Sequence, residues 1–207
     1  MSLTLRGIGH TFDGRSWLFR GLDVDLLPGR VYSLTGPSGS GKSTLLSILA
    51  GWLDPSEGEV VRQAGARVTW VFQNPHGVPR RTALDHVALP FLAQGLSPSD
   101  ADACGLGLLK QFALVDVADY PFARLSGGES QRLMLARGIA ARPEMLLVDE
   151  PTAQLDQIAS RAVNDAVATL ATEGTIVVVA THDSVTRDAC TDHIHLRDVA
   201  WPRAEQA

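Results

Sequence analysis

The chain is poor in cysteine, and it lacks any long hydrophobic run. Cys104 and Cys190 are its only cysteines in 207 residues, and their spacing fits neither a zinc site nor a disulfide framework. We therefore expect two reduced thiols, as is usual in a cytoplasmic protein. The longest apolar stretches, such as residues 145–148 and 176–180, are far shorter than the about 20 residues that span a bilayer.

The chain also lacks an excess of positive charge. Its formal net charge of −5 argues against a broad nucleic-acid surface, and we expect no nucleic-acid partner. The first ten residues contain no apolar core of the length that a signal peptide needs. If the protein serves a membrane process, we expect the membrane-spanning part to be a separate chain.

Short apolar segments alternate with helical patterns, which indicates the α/β class. Four continuously apolar segments are typical of buried parallel strands, and a helix is predicted over 42–51. The predicted strands are residues 31–34, 68–72, 146–148 and 175–180. Residues 1–30 and 57–67 are punctuated by glycine and proline, which indicates hairpins.

We expect one domain of 207 residues with three parts. Residues 1–75 and 131–207 form the core with an antiparallel β subdomain, and residues 76–130 form an inserted helical subdomain. His193 and His195 alternate on the predicted last strand, where we expect a solvated face.

One nine-residue segment fits the phosphate-loop pattern G-x-x-x-x-G-K-[ST]. Its glycines let backbone amides approach phosphates closely, and the helix that follows adds a partial positive charge. We expect Lys42 to bridge the β- and γ-phosphates and Ser43 to offer its hydroxyl to Mg²⁺. The candidate nucleotide-binding residues of this segment are Gly36, Pro37, Ser38, Gly39, Ser40, Gly41, Lys42, Ser43 and Thr44.

Two acidic residues follow the apolar segment 145–148. Strand alternation points Asp149 and Glu150 in different directions, so they suit different roles. We expect Asp149 to be a magnesium partner and Glu150 to polarise the attacking water as a general base. The alternative, a helix cap, fits poorly beside a phosphate loop.

A second motif, Leu-Ser-Gly-Gly-Glu at 125–129, gives the chain its family resemblance. Together with the two motifs above, it resembles the nucleotide-binding subunit of ATP-binding cassette (ABC) transporters over nearly the whole chain. The resemblance implies that Ser126, Gly127 and Gly128 contact the γ-phosphate held by an opposite subunit, with Glu129 nearby in place of the commoner glutamine. Ser126 and Glu129 also form a capping box, and both interpretations can hold together.

The resemblance implies roles for four further residues. Gln73 would sense magnesium, water and the membrane partner, and His182 would contact the γ-phosphate. Asp156 would signal across the dimer, although Ala153-Gln154 departs from the usual sequence there. Phe12 would stack on adenine, for which any aromatic face serves; its alternative is a hydrophobic anchor in a hairpin. Gln73, Asp156 and His182, each taken alone, would be ordinary polar residues at strand ends or caps.

The fold implied is a P-loop NTPase (RecA-like) core. The function implied is ATP hydrolysis with Mg²⁺ by a homodimer that drives separate transmembrane permease subunits. Such a protein is cytoplasmic and peripheral at the inner face of the membrane. Residues 82–90 resemble the lipoprotein-release and macrolide-export branch, and the membrane partner is expected to dock around residues 73–84. The alternatives are a non-transport ATPase acting on DNA or ribosomes and a nucleotide-sensing regulator.

Overall fold

The computed structural model describes residues 2–62, 65–151 and 157–196, without the side chains of residues 157–160 and 162. In these ranges the chain forms two sheets and six α-helices. In chain order the elements are β1 (Leu3–Thr11), β2 (Trp17–Leu26), β3 (Val31–Thr35), α1 (Lys42–Ala50), β4 (Glu57–Arg62), β5 (Val68–Val71), α2 (Ala83–Ala93), α3 (Pro98–Gln111), 3₁₀ turns at Val115–Val117 and Phe122–Arg124, α4 (Gly127–Ala140), β6 (Met145–Asp149), α5 (Gln157–Thr172), β7 (Ile176–Ala180), α6 (Ser184–Asp188) and β8 (Asp192–His195).

The smaller sheet is antiparallel, with strand order β2-β1-β4. Strands β1 and β2 form the hairpin that the glycine pattern predicts in the first thirty residues. The segment 57–67 behaves differently, because its strand β4 pairs with the distant β1 and forms no local hairpin within the described residues. Local turn residues could not reveal that pairing.

The larger sheet is parallel, with strand order β5-β6-β7-β3-β8. Strands β6 and β7 are buried at every position, which explains their unbroken apolar sequences. The four strands predicted from apolar runs are confirmed to within one residue at each end. Because all the strands run the same way, the residues that follow β3, β6 and β7 meet at one edge of the sheet.

Two hydrophobic cores cover the two faces of the parallel sheet. Alternate residues of β6 enter different cores: Leu146 and Val148 pack with helices α2 to α5, and Met145 and Leu147 pack with α1 and the antiparallel sheet. Each fully buried leucine or valine contributes about 1.5 to 3 kcal/mol relative to an exposed one. The sheet carrying the candidate site is therefore held rigidly from both sides.

Helices α2 and α3 lie between β5 and β6 in the chain, as the predicted helical insertion requires. Thr82 and Asp85 form a capping box at the start of α2, and Ser97 with Pro98 starts α3. The Nε2 atom of Gln94 donates to the carbonyl of Ala140 at 2.7 Å. That bond ties the region after α2 to the end of α4. The domain limits at residues 76 and 130 remain a prediction.

Both cysteines are free thiols, as expected. The partly buried Cys190 thiol has its pKa raised to about 11 by burial, so it stays protonated. Within the described ranges, no helix combines the length and the hydropathy that crossing a membrane requires.

Candidate nucleotide-binding site

The phosphate loop connects β3 to α1 at the edge where the parallel strands end. Gly41, the residue before α1, has a φ of 93°, in the left-handed region that favours glycine. A Cβ atom at Gly41 would also lie 2.9 Å from the ring of Phe19. Backbone geometry and packing therefore both require glycine at the entry to the helix.

Lys42 occupies the first position of α1 and reaches back over the loop. Its Nζ atom donates to the carbonyl oxygens of Gly36 at 3.0 Å and Pro37 at 3.3 Å. The ammonium group thus lies above the loop, near the positive end of the helix dipole. This arrangement concentrates positive charge where an anion would bind.

Asp149 lies at the end of β6, directly beside the start of α1. The Ser43 hydroxyl donates to its Oδ2 atom at 2.9 Å, so two oxygen ligands of the kind that Mg²⁺ prefers lie together. Burial, reinforced by the nearby charge of Glu150, raises the pKa of Asp149, while Ser43 and Lys42 oppose that shift. A cation at this point would compensate the buried charge.

Glu150 follows β6 in a left-handed conformation, with a φ of 50°. Its amide donates to the carbonyl of Ala180 at 2.8 Å, which holds this unusual backbone against β7. The side chain turns toward His182, whose Nδ1 atom lies 2.8 Å from Oε1. The carboxylate is 10% exposed and the imidazole 72% exposed, so Glu150 is enclosed while His182 faces the solvent.

These groups line one cavity of about 710 Å³. The cavity brings together most of the sequence-predicted site and adds Leu18, which the motif analysis missed because an apolar residue of a hairpin carries no distinctive signal. Its lining residues are Phe12, Leu18, Gly36, Pro37, Ser38, Gly39, Gly41, Lys42, Ser43, Thr44, Gln73, Asp149, Glu150 and His182.

Phe12 stands at the mouth of the cavity and is 75% exposed. Its ring meets that of His10 edge to face, with 4.7 Å between centroids. Ser40 is the one phosphate-loop residue that is not among those lining the cavity; its Oγ atom is buried. A Cβ atom at Gly36 would lie 2.6 Å from that oxygen, so Ser40 packs inside the loop.

The Leu-Ser-Gly-Gly-Glu segment lies apart from this cavity and starts α4. The Ser126 hydroxyl accepts from the amide of Glu129 at 3.3 Å, and the Glu129 carboxylate accepts from the amide of Ser126 at 2.7 Å. Hydrogen bonds from Ser126, chiefly from its hydroxyl, lower the pKa of Glu129. The capping box predicted from the sequence is confirmed, and Gly127 and Gly128 form the first turn. Asp156 lies outside the described residues.

A glycine-rich loop between a buried parallel strand and a helix, with acidic residues ending another strand of the same sheet, defines a P-loop nucleotide-binding domain. The sequence model described as "ABC transporter" matches residues 19–153. The chain belongs to the ABC transporter family, as its ATP-binding and ATP-hydrolysing component.

Several relatives and solved structures are similar over most of their length. The lipoprotein-releasing system ATP-binding protein LolD of Ruegeria sp. is 38% identical, with 96% of each chain covered. The zinc import ATP-binding protein ZnuC of Yersinia enterocolitica is 36% identical over 93% of this chain and 74% of its own. The dimeric post-hydrolysis structure of the ATP-binding cassette MJ0796 bound to ADP and Pi has a TM-score of 0.83 and 28% identity, with 93% of each chain covered.

Proposed function

We propose that two copies of this chain bind ATP head to tail, each site taking its Leu-Ser-Gly-Gly segment from the other copy. The observation that carries the proposal is the division of the site. The phosphate loop, Asp149, Glu150 and His182 line one cavity, whereas Ser126 and the two glycines after it lie elsewhere. Exposed glycine amides at a helix start form an anion site that suits a phosphate brought by a second copy.

ATP would lie along the cavity from Phe12 to Lys42. Phe12 offers an exposed aromatic face for the adenine at the mouth, and stacking needs no particular polar pattern. The amides of residues 36–44 and the Lys42 ammonium would bind the β- and γ-phosphates. The exposed ring of Phe12 and the ammonium group of Lys42, which both line the cavity, support this orientation.

Magnesium fits the oxygen donors beside the phosphate position. Ser43 and Asp149, whose side chains are hydrogen-bonded at 2.9 Å, would hold the ion together with Gln73, which lines the same cavity. When bound, Mg²⁺ neutralises charge on the phosphate oxygens. Asp149 supplies the negative charge and Ser43 a neutral oxygen, which is a donor set of the type that Mg²⁺ accepts.

Glu150 is the residue best placed to accept a proton from the attacking water. Its carboxylate is enclosed and fixed by His182, so it is oriented without being free to swing into solvent. His182, which is mostly exposed, would contact the γ-phosphate. Gln73 would report the state of the site to the membrane partner, and Asp156 would report it to the other copy.

The membrane partner would dock in a groove beside Gln73. The groove has a volume of about 460 Å³ and lies between β5, α2 and α4, with walls that include Leu89, Pro90 and Met134. Trp70 and Phe72 on its wall continue an aromatic row that includes Trp52 outside it: the Trp70 centroid lies 5.1 Å from that of Trp52 and 4.9 Å from that of Phe72. This apolar surface suits a helix presented by a transmembrane permease subunit, and it would hold the chain at the inner face of the membrane.

The finer proposal is that the permease belongs to the lipoprotein-releasing branch. The 96% coverage of both chains with LolD of Ruegeria sp. supports it, because ZnuC of Yersinia enterocolitica is matched over only 74% of its length. The groove also includes Leu89 and Pro90, from the stretch that resembles that branch. We infer a role in moving lipid-modified proteins rather than nutrients.

The test is affinity capture of the Glu150→Gln variant from detergent-solubilised native membranes, with ATP and Mg²⁺ present. The expected result is a stoichiometric polytopic membrane protein whose sequence identifies the branch. Recovery of ribosomes or DNA-associated factors instead would overturn the transporter proposal and leave the ATPase chemistry intact. Capture of a zinc-transporting permease would overturn only the branch.

A further inference from the structure

Strand β8 at the edge of the parallel sheet carries two histidines on its exposed face. His193 and His195 are exposed, while Ile194 between them is 5% exposed. Strand alternation places the two imidazoles on the same side of the sheet. The solvated face expected from the sequence is confirmed. Its two imidazole rings are nevertheless held by hydrogen bonds, which solvent exposure alone does not require.

Each imidazole is held by a hydroxyl group of the neighbouring strand. The Nδ1 atom of His193 lies 2.7 Å from the Ser33 hydroxyl, and that of His195 lies 2.8 Å from the Thr35 hydroxyl. The pairs follow the parallel register, in which β3 residues face the histidines directly. Both rings are therefore oriented through the same nitrogen.

The hydrogen bonds of Thr35 indicate which nitrogen of His195 carries the proton. The Thr35 hydroxyl donates to the carbonyl of Ile194 at 3.3 Å, and a hydroxyl has only one proton to donate. If that proton is placed on the Ile194 carbonyl, the hydroxyl accepts from an Nδ1–H group of His195. A neutral imidazole protonated at Nδ1 has a lone pair on Nε2, one of the two nitrogens through which histidine binds metals.

The spacing of the two histidines is suited to chelation. Residues two apart in a strand are separated by about 6.6 Å, and exposed rings can tilt together until both Nε2 atoms reach a metal at about 2.0 to 2.1 Å. The Asp188 carboxylate at the end of α6 interacts electrostatically with His193. That carboxylate is paired with Arg187 at 2.8 Å, so the two imidazoles themselves must supply the attraction for a metal ion.

We propose that His193 and His195 bind one divalent transition-metal ion, such as Ni²⁺, Cu²⁺ or Zn²⁺, through their Nε2 atoms. Imidazole is a preferred ligand of these ions. Water would complete the coordination, since no group of three or more histidine, cysteine or acidic side chains suited to a metal occurs in the described part of the chain. Ser33 and Thr35 would be positioning residues that orient the imidazoles.

The experiment is a calorimetric titration of the untagged full chain with NiCl₂ in a non-coordinating buffer. The wild type should bind one equivalent of Ni²⁺. The affinity for this ion should fall at least about tenfold in His193→Ala and in His195→Ala. The isosteric Thr35→Val variant should also bind about tenfold more weakly, because losing a group that orients a ligand costs 10- to 100-fold in metal affinity. Electron paramagnetic resonance with Cu²⁺ should show two bound nitrogens in the wild type and one in each alanine variant.

The matched control is His182→Ala, which removes a histidine from the nucleotide cavity. It should bind the same equivalent of Ni²⁺ with unchanged affinity. The proposal is overturned if the wild type binds no Ni²⁺, if the β8 variants bind as well as the wild type, or if binding is lost in His182→Ala instead.

Discussion

The Nδ1 atom of His182 lies 2.8 Å from the Oε1 atom of Glu150, across the ends of two neighbouring strands. The contact fixes a carboxylate that is enclosed by the protein to an imidazole that faces the solvent. A glutamine at position 150 would keep an oxygen that accepts from His182. The contact can therefore be preserved while the carboxylate that we propose accepts the proton is removed.

We expect Glu150→Gln to lower ATP turnover by about 10² to 10⁴-fold, the usual contribution of a general base. ATP binding should survive, because the phosphate-loop groups that we propose hold the phosphates are unchanged. Phosphate release measures turnover, and fluorescent-nucleotide binding measures affinity. The control Glu173→Gln, which changes an exposed carboxylate far along the chain, should retain wild-type turnover.

Burial of Asp149 makes its charge unfavourable for folding. Its pKa is raised above the ordinary 3.8, so the folded chain binds the proton more tightly than the unfolded chain. The contribution of Asp149 to the free energy of unfolding is therefore highest below pH 3.8 and falls as pH rises through the raised pKa. At pH 7 without Mg²⁺, Asp149→Asn should raise the urea midpoint, and the difference from wild type should disappear near pH 3. An Asn variant less stable than wild type at pH 7 would contradict this account.

Alanine substitutions at two glycines of the phosphate loop distinguish the effect of backbone strain from that of steric overlap. Gly39 has a φ of 78°, and a Cβ atom added there would have nothing within 4 Å, whereas a Cβ at Gly41 would meet Phe19 at 2.9 Å. Gly39→Ala should lower the free energy of unfolding by about 1 to 2 kcal/mol, because alanine is strained in the left-handed conformation. Gly41→Ala should lower the free energy of unfolding by about 1 to 3 kcal/mol more than Gly39→Ala does, because its added methyl group overlaps the Phe19 ring. Equal losses in urea unfolding would show that packing against Phe19 does not matter.

Sites shared between two copies predict complementation between inactive variants. Lys42→Ala removes the ammonium group that we propose binds phosphate, and Ser126→Arg places a large side chain at the start of α4. Neither variant alone should hydrolyse ATP, but their mixture should regain activity because mixed dimers contain one intact site. Activity that stays absent after subunit exchange, with mixed dimers verified by native mass spectrometry, would argue against shared sites.

The aromatic row of the groove should matter for assembly and not for hydrolysis by the isolated chain. Trp52 is 67% exposed, so Trp52→Ala should leave folding and basal turnover unchanged. Capture of the membrane subunit should fall at least about tenfold, as loss of a large aromatic anchor commonly costs about 2 kcal/mol or more at an interface. Val61→Ala, at an exposed apolar residue of β4 outside the groove, is the matched control.

Much of the fold could be predicted because buried parallel strands leave an unbroken apolar sequence. Strands β3, β5, β6 and β7 were recognisable in this way, and glycines marked the first hairpin. The pairing of β4 with β1 was not recognisable, since it joins segments about fifty residues apart. No periodicity or turn residue encodes such a contact.

The functional residues likewise divide into those that the sequence predicts and those that only the fold brings together. Its loop and strand-end residues follow contiguous motifs, so Lys42 and Asp149 could be named from sequence. The left-handed conformation of Glu150 and the hydroxyl groups that hold His193 and His195 depend on neighbouring strands. The row formed by Trp52, Trp70 and Phe72 likewise joins residues with no common sequence pattern.

The tryptophans of that row also make the intrinsic fluorescence of the protein sensitive to binding at the groove. The chain has four tryptophans, and two of them, Trp52 and Trp70, stand in contact beside the groove. Trp17 lies elsewhere, stacked 4.5 Å from the guanidinium of Arg20. Occupation of the groove would exclude water from the Trp70 ring, which lines it, and shift its emission to shorter wavelength. Assembly with a membrane subunit can therefore be followed in real time by intrinsic fluorescence, without a label.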